Sequence, residues 1–436
     1  MNNTEHPIES NNIEAKSQIK FLELLSYILN GKNDYSSGLL PDIAVLQQIF
    51  IQARRQKVLP LIIDGLAEQE KYGSVTKEQE SYLEQKKERA RSEITLQAQK
   101  TADFMMLYDY LAENGLYPIV MKGIICRDIY PQPEHRPSVD EDILIDPDDI
   151  MAYHEALLAY GLTPVRPEED VEKSDEVSYE NKETHLYIEV HKKFFLGDSA
   201  AYSNLNNCFE GAMGRTICQK IYGMTFRTLG HTDHLLYLVL HAFKHFLYSG
   251  FGIRQVCDIM LFSERYRERI DWMTVRKQLT EVRAFDFTRA IYRIGGLYLV
   301  KENRMQEYLS GWDINGIDEK PLLKDILDGG LYGASTMTRL HSSNMTLQAV
   351  ANNGKGSASA KGIIRAVFAP LAYMQSRYSY LKKAPFLLPV AWVQRAVGYA
   401  SETRRNGRRL NSNSMMESIR LGNERIELLR KYYIIS

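Results

Sequence analysis

The sequence has few cysteines, almost no net charge and no long hydrophobic run. Its 436 residues include four cysteines, none of them in a CxxC pair, so neither a disulfide framework nor a zinc finger is predicted. The 54 Lys and Arg are balanced by 55 Asp and Glu, which gives a formal net charge of -1. Because a protein without a global cationic field does not attract polynucleotides indiscriminately, a nucleic-acid partner is not expected.

The longest apolar stretches are too short to cross a membrane. Ala366–Met374 and Ala384–Val393 are each interrupted by proline, and each has about half of the ~20 residues that a spanning helix requires. Residues 1–17 are polar and lack the apolar core of a secretory signal. We therefore expect no transmembrane segment and a location in the cytoplasm.

The composition itself is that of an ordinary globular protein. Apolar residues make up 44% of the chain and charged residues 25%, which is enough for one to three packed cores. Hydrophobic periodicity predicts four regions in chain order. These are an N-terminal helical region at 1–100, an α/β core at 101–228, a helical domain at 229–349, and a linker with a basic helical C-terminal region at 350–436.

Helix signals are clearest before residue 115. Phe21, Leu24 and Ile28 recur at the spacing of one buried helical stripe. A later helix is predicted to open at Thr76, which forms a capping-box pair with the residue three positions on, and to end at Gly115. After this glycine short apolar runs interleave with helical patterns, so the sequence predicts an α+β fold.

Chemistry-bearing residues are concentrated in the stretch IVMKGIICRDIYPQPEHRPSVDEDILI, residues 119–145. A strand is predicted to end just before Lys122 and Gly123, and a second strand carries Asp140 and Asp142. Since successive strand side chains point to opposite faces, the two aspartates share one face. Two adjacent carboxylates repel each other, and a divalent cation relieves that repulsion, so the pair predicts a metal site.

A third carboxylate, Glu189, lies on the predicted strand HLYIEVHKKF between the apolar residues Ile188 and Val190. An acid within an apolar strand costs stability unless it is paired or liganded. Two aspartates on one strand and an acid on a neighbouring strand are typical of two-metal phosphoryl chemistry.

These residues resemble a known family. The order KG, short helix, Tyr-Pro, Arg, DxD and then IEVH is similar to the uncharacterised nucleotidyltransferase family of the DNA polymerase beta-like superfold. The later stretch HTDHLLYLVLHAFKHF, followed by IRQVCDIMLF and IDW, resembles the helical half of that family. The resemblance covers about residues 100–300, and the later segment FLLPVAWVQR resembles the family more weakly.

The resemblance implies a mixed-sheet nucleotidyltransferase core with N-terminal helices and a C-terminal helical body. It implies an enzyme that transfers an NMP group from an NTP, with ATP the expected one, to an acceptor hydroxyl of a small molecule, peptide or protein, releasing pyrophosphate. Two Mg²⁺ ions are the expected cofactors, with Mn²⁺ as the alternative. The implied site residues are Asp140, Asp142 and Glu189 for catalysis and metal, Lys122, Gly123, Arg127 and Arg136 for the nucleotide phosphates, and His191, Arg254 and Asp258 for the acceptor side.

Two positions depart from the superfold pattern. Ile124 stands where a serine usually follows the motif glycine, so phosphate contact falls to the backbone and to Lys122. Glu141 stands between the two aspartates where an apolar residue is usual, and we expect it to be salt-bridged to Arg136 or Arg127 or to face solvent.

Other features have simpler interpretations. His241 and His245 have the i, i+4 spacing of zinc-binding histidines, but the segment between them lacks the HExxH glutamate, so packing or hydrogen bonding is preferred. Arg254 and Asp258 form either a helix ion pair or part of a cleft-facing helix.

A different class of function also remains open. From Gly354 to Ser436 there are 15 Lys and Arg against 4 Asp and Glu. The alternative is a noncatalytic nucleotidyltransferase-fold binding or assembly protein, whose basic C-terminal region docks an acidic partner or a peripheral anionic membrane surface.

Overall fold

The computed structural model describes residues 7–31, 40–70, 75–248, 250–300, 307–329, 345–347, 349–351, 374, 380–394 and 412–435. The chain divides into two compact units. The first comprises Met1–Lys244 and Gly250–Ala334, and the second comprises His245–Ser249 and Ser335–Ser436. None of the described helices has the length and hydropathy needed to cross a membrane.

The N-terminal part of the first unit is helical, as the sequence predicts. Phe21, Leu24 and Ile28 are buried on one face of the first helix. The predicted capping box at Thr76 forms, and it starts a helix of 37 residues. The four helices are α1 (Pro7–Leu29), α2 (Ile43–Arg55), α3 (Leu59–Glu70) and α4 (Lys77–Glu113).

A seven-stranded mixed sheet follows α4. Its spatial order is β3-β4-β5-β2-β1-β7-β6. The pairs β2 with β5 and β1 with β7 are parallel, and the other neighbours are antiparallel. The strands are β1 (Ile119–Val120), β2 (Glu141–Leu144), β3 (Thr163–Pro164), β4 (Glu176–Glu180), β5 (Tyr187–His191), β6 (Ile217–Ile221) and β7 (Met224–Thr228).

Two short helices, α5 (Ile124–Arg127) and α6 (Ile150–Tyr160), lie between the strands. α6 ends at Gly161, whose φ of 103° is the left-handed conformation that glycine adopts readily at the end of a helix. One hydrophobic core joins α4, α6 and the central strands through residues such as Leu107, Val120 and Leu157. Burying each such side chain stabilises the fold by about 1.5–3 kcal/mol, which fixes the sheet against the long helix.

Helices complete the first unit. The segment HTDHLLYLVLHAFKHF lies in α7 (His231–Tyr248), which begins in the first unit and ends in the second. It is followed by α8 (Ile253–Tyr266), α9 (Trp272–Glu281), α10 (Phe285–Tyr298) and α11 (Lys320–Gly329). The predicted α+β class is therefore confirmed, with N-terminal helices, a mixed sheet and a helical body.

The second unit contains the short helix α12 (Tyr380–Lys383), a helical stretch at 388–394 and α13 (Ser412–Lys431). Met374, Leu381 and Ala391 form a small buried cluster there. Most of the predicted linker at 350–362, and most of the stretch Ala366–Met374, lie outside the described residues.

Candidate active site

Strand pairing brings the two predicted acidic segments together. β2 and β5 are parallel, and in their register Asp142 stands opposite Glu189. Register partners in neighbouring strands point to the same face of a sheet, so the two carboxylates share one site. Asp142 is fully buried, whereas the Glu189 side chain is 23% exposed. Solvent therefore reaches the site at Glu189 and not at Asp142.

His191 completes the acidic group from the end of β5. Its Nε2 lies 3.3 Å from Asp142 Oδ1 and 3.7 Å from Glu189 Oε2, while its Nδ1 lies 3.6 Å from Glu176 Oε2. One imidazole therefore stands among three carboxylates. His191, which the resemblance assigns to the acceptor side, lies within the acidic cluster itself.

Lys122 approaches Asp142 from the end of β1. The β1–β2 ladder continues one residue further, since the Met121 N–H donates to the Asp142 carbonyl over 3.0 Å. The Lys122 Nζ lies 2.9 Å from Asp142 Oδ2 and 3.1 Å from His241 Nε2 of α7. His241 is thus bonded to the site lysine, in keeping with the hydrogen-bonding interpretation of that histidine.

These contacts shift the proton affinities of the cluster. Burial alone would raise the pKa of Asp142, but Lys122 and His191 outweigh it, and the pKa lies well below the usual range. Burial lowers the pKa of His191, yet its hydrogen bonds to Asp142 and Glu189 and the charge of Glu176 raise it to about 9. The pKa of Glu189 is raised, first by burial and then by the charges of Asp142 and the acids around it. Near neutral pH the site therefore holds an ionised Asp142 and a protonated His191.

Gly123 is required by the close approach of Glu141. A Cβ on Gly123 would lie 1.7 Å from Glu141 Oε2, and the φ of 55° is one that side-chain-bearing residues avoid. The same carboxylate accepts the Ile124 N–H over 2.9 Å and binds Arg127 Nη1 over 2.6 Å. The expected salt bridge of Glu141 is thus confirmed with Arg127, and a buried ion pair holds the turn of the KG motif.

The segment leading to Asp140 is held from two helices. On the α4 side, the buried Lys100 Nζ donates to the carbonyls of Ser138 and Val139, 2.8 Å away in each case. On the α8 side, Arg136 binds both oxygens of Asp258 over 2.7 Å, and Arg254 donates to the Pro137 carbonyl. These hydrogen bonds and this ion pair fix the backbone segment that positions Asp140 in the site.

Most of the predicted site residues are gathered here. One small cavity is lined by Lys122, Arg136, Asp140, Arg254 and Asp258, among others. α8 therefore faces the cleft, and Asp258 binds Arg136. Asp140 is half-buried, immediately precedes β2 and lines this cavity.

Arg127 lies elsewhere, fully buried against Glu141. Its predicted contact with phosphate stays a prediction.

The acidic cluster fits a divalent cation. One donor atom each from Asp142, Glu189 and His191 lies within 4.8 Å of the others, so a single ion could touch all three once it displaces the His191 proton. The set of two carboxylates and one imidazole suits first-row divalent ions such as Mn²⁺. The carboxylates alone, with half-buried Asp140 nearby, suit Mg²⁺, which prefers oxygen ligands.

Three residues beside the site were not among the sequence-based candidates. They are Lys100, Glu176 and Tyr237. Glu176 follows from the antiparallel pairing of β4 with β5, where it stands opposite His191. Lys100 is hidden in a charged helical sequence, and only the fold shows that this lysine is buried.

Comparison with known proteins gives the chain its family. The profile of a family described as uncharacterised nucleotidyltransferase matches residues 46–298, which includes α4, the sheet and α7 to α10. The chain belongs to this uncharacterised nucleotidyltransferase family. The match extends beyond the motif segments into the N-terminal helices. No curated protein and no solved structure matches the chain.

Membership of the nucleotidyltransferase family gives the acidic cluster a chemical context. The name of the family describes transfer of a nucleotidyl group, a reaction class that generally relies on divalent metal ions, and the chain has a group of acids and a histidine able to hold one.

Proposed function

We propose that this protein is a metal-dependent nucleotidyltransferase that transfers an NMP group from an NTP, with ATP as the first candidate, to an acceptor hydroxyl. The observation that carries the proposal is the β2–β5 register, which sets Asp142 opposite Glu189. Carboxylates on neighbouring strands are the ligand arrangement that phosphoryl-transfer chemistry uses. Family membership supports the general class of reaction.

In the proposed reaction the acceptor oxygen forms a bond to the α-phosphorus, and the bond from that phosphorus to the pyrophosphate oxygen breaks. Mg²⁺, held by Asp140, Asp142 and Glu189, would stabilise the charge that develops on the phosphoryl and leaving oxygens. The acceptor proton passes to the Glu189 carboxylate. A carboxylate beside a divalent cation stays ionised at neutral pH, so Glu189 would act as a base through its position beside the acceptor.

Cationic side chains on the other side of Asp142 suit the triphosphate. Lys122 lines one cavity with Asp140 and with Arg254, which we move here from the acceptor side to the phosphates, and the Lys122 ammonium is bonded to His241. Charge-assisted hydrogen bonds from such groups to phosphate are about twice as strong as neutral ones. Arg136, bound to Asp258, supports this cavity wall.

The acceptor is proposed to be a hydroxyl of a small molecule, peptide or protein. A formal net charge of -1 offers no general attraction for a polynucleotide. The reaction would take place in the cytoplasm, where NTP and Mg²⁺ are both abundant.

Incubation of the purified protein with each NTP and with Mg²⁺ or Mn²⁺ tests the proposal. Pyrophosphate release is measured first, and a cell extract is then searched for products heavier by one NMP group. Release that needs the metal and disappears in Asp142→Asn supports the proposal. No metal-dependent turnover of any NTP, with or without extract, would favour the noncatalytic binding protein instead.

A further inference from the structure

The outer strand β6 leaves part of its backbone unpaired. It is the last strand in the sheet order, and among the described strands it pairs with β7 alone. Because Ile221 and Met224 flank the two-residue turn of this hairpin, they form a hydrogen-bonded pair, and the bonded positions alternate from there along the strand. The backbones of Cys218 and Lys220 therefore point away from β7.

A contact of β7 agrees with this pattern. The Arg227 N–H, opposite Cys218 in the register, donates to the Tyr108 hydroxyl over 2.9 Å and not to β6. Within the described part of the chain, no residue hydrogen-bonds the outward N–H or carbonyl of Cys218 or Lys220, and both residues are exposed. Such an edge offers donors and acceptors that an incoming strand can pair with.

A groove of about 520 Å³ runs beside this edge, and its size is typical of a ligand-binding cleft. One wall is β6 from Ile217 to Lys220, and the opposite wall is the end of α8 with the loop after it, residues 265–269. At a rise of about 1.5 Å per residue, this end of α8 lies about 16 Å along the helix from Arg254. The groove, here called the β6 groove, is therefore separate from the candidate active site.

The β6 groove carries more cations than acids. Asp128 and Glu268 line it, and each forms an ion pair with an arginine that also lines it, at 3.1 Å and 3.6 Å. Lys220 and Arg269 line the same groove, and neither has an ion pair with an acid of the described segments. Two exposed positive charges thus stand beside the open strand edge.

We propose that the β6 groove binds an acidic polypeptide segment of a partner protein, which adds to the sheet as a strand beside β6. Main-chain hydrogen bonds to Cys218 and Lys220 hold the segment, and its Asp or Glu side chains pair with Lys220 and Arg269. This interaction surface goes beyond the proposed nucleotidyl transfer and does not depend on it.

Other occupants suit the groove less well. Pairing β6 with β6 of a second copy would bring two cationic walls together, and like charges across an interface repel each other. Nucleic acid would meet the positive charges, but it lacks the regular backbone donors and acceptors that a strand edge pairs with. An acidic polypeptide satisfies both the charges and the backbone.

The probe is a fluorescein-labelled peptide of about nine residues in which glutamate alternates with valine, a strand-forming pattern. A second peptide has lysine in place of each glutamate. Binding to the full chain is measured by fluorescence anisotropy. We expect the glutamate peptide to bind, its affinity to fall as salt is added, and the lysine peptide not to bind.

Cys218 gives an independent readout of where the peptide binds. It is exposed, whereas the other three cysteines are buried. A saturating amount of the glutamate peptide should slow alkylation of Cys218 by iodoacetamide about fivefold or more, and mass spectrometry of the modified chain measures the rate.

Substitutions at Lys220 separate the charge from the backbone. Lys220→Glu should weaken binding of the glutamate peptide about fivefold, the size of one exposed ion pair. Lys220→Pro also removes the outward N–H, which an edge strand tolerates, and should bind about fivefold more weakly than Lys220→Ala at an unchanged melting temperature. Lys182→Glu, at an exposed lysine between β4 and β5, is the matched control and should bind as the wild type does.

Equal binding of the two peptides would overturn the proposal, as would binding of the glutamate peptide that leaves Cys218 alkylation unchanged. No binding up to about 1 mM would also overturn it and leave Lys220 as a charge that only protects the strand edge. Tighter binding of a single-stranded oligonucleotide, or a concentration-dependent dimer in which Cys218 is protected, would assign the groove to a different occupant. None of these results bears on NTP turnover, so the proposed function is tested separately.

Discussion

Lys122 Nζ and Asp142 Oδ2 lie 2.9 Å apart, so the ammonium of the KG motif neutralises the deepest carboxylate of the acidic cluster. A divalent cation at Asp142 must compete with this ammonium for the same oxygen. The sequence suggested the KG motif for phosphate and the DxD motif for metal. Because Lys122 and Asp142 form an ion pair, a ligand that binds one motif also changes the charge balance of the other.

Lys122→Met should strengthen metal binding by the nucleotide-free protein. Removing the competing charge leaves Asp142 to the ion, and we expect Mn²⁺ affinity to rise about tenfold, the equivalent of one pKa unit of interaction. Titration of Mn²⁺ followed by electron paramagnetic resonance measures it. Lys220→Met, at an exposed lysine of β6, is the control and should change nothing. Equal or weaker Mn²⁺ binding in Lys122→Met would show that the lysine does not oppose the ion.

Asp140→Asn and Asp142→Asn should differ in stability although both lose activity. Each removes a predicted ligand, and a loss of about 4 kcal/mol of metal stabilisation slows turnover roughly a thousandfold. Asp140 is half-buried, so its variant should keep the melting temperature. Asp142→Asn leaves the buried Lys122 and His191 charges without their partner and should cost about 3 kcal/mol of stability. Pyrophosphate release measures activity and thermal melts measure stability. Wild-type turnover in both variants would show that the aspartates are not catalytic.

Glu189→Gln should reduce kcat more than nucleotide affinity. Loss of a positioned base costs about a hundredfold or more, whereas the phosphates still meet Lys122 and Arg254. Single-turnover rates and Mg-nucleotide binding separate the two quantities. Glu180→Gln, at the end of β4 that pairs with Tyr187 rather than with His191, is the control. If Glu189 only supports His191 across their 3.7 Å contact, the variant will lose stability and keep its rate.

Gly123→Ala should destabilise the protein by about 2 kcal/mol or more. The new Cβ would collide with the Glu141 carboxylate, and the positive φ adds backbone strain. Gly214→Ala is the matched control, because nothing lies within 4 Å of a Cβ placed there. Chemical denaturation followed by tryptophan fluorescence compares them, and equal stabilities would contradict the tight Gly123 turn.

His234 should make the first unit lose stability in mild acid. Burial lowers the pKa of this histidine to about 3, whereas the unfolded chain titrates near 6.5. Between these values the unfolded state binds a proton that the folded state does not, so stability is present above pH ~6.5 and falls toward pH ~3. The difference in unfolding free energy between wild type and His234→Gln should therefore change by about 1.4 kcal/mol per pH unit from pH 6 to 5. A constant difference over that range would mean that His234 is protonated in the fold.

Local signals predicted those parts of the site that depend on one segment. Gly115 ended its helix as expected, and the alternation around Asp142 and Glu189 placed both on strands. The β6–β7 hairpin was missed because its turn is Tyr222–Gly223, with φ values of 50° and 86°, and tyrosine is unusual where asparagine is the common signal.

What could not be predicted depends on pairing between distant segments. Nothing in the sequence of β5 says that it lies parallel to β2, so the contacts of His191 followed only from the register. The Tyr237 hydroxyl, which has no hydrogen-bond partner among the described residues, was hidden for the same reason. Its helix is buried on most sides, so a tyrosine in that sequence is interpreted as a core-packing residue until its neighbours are known.

The long α4 helix also determines how the protein can be divided. It runs without a break from the N-terminal helices to the sheet. The predicted regional boundary at residue 100 falls inside this helix, at Lys100, which donates hydrogen bonds to the Ser138 and Val139 carbonyls. A shortened chain that starts at residue 101 would lose that lysine and two-thirds of the helix. Expression, domain transplantation and deletion mapping should therefore treat the helical N-terminus and the acidic sheet as one inseparable part.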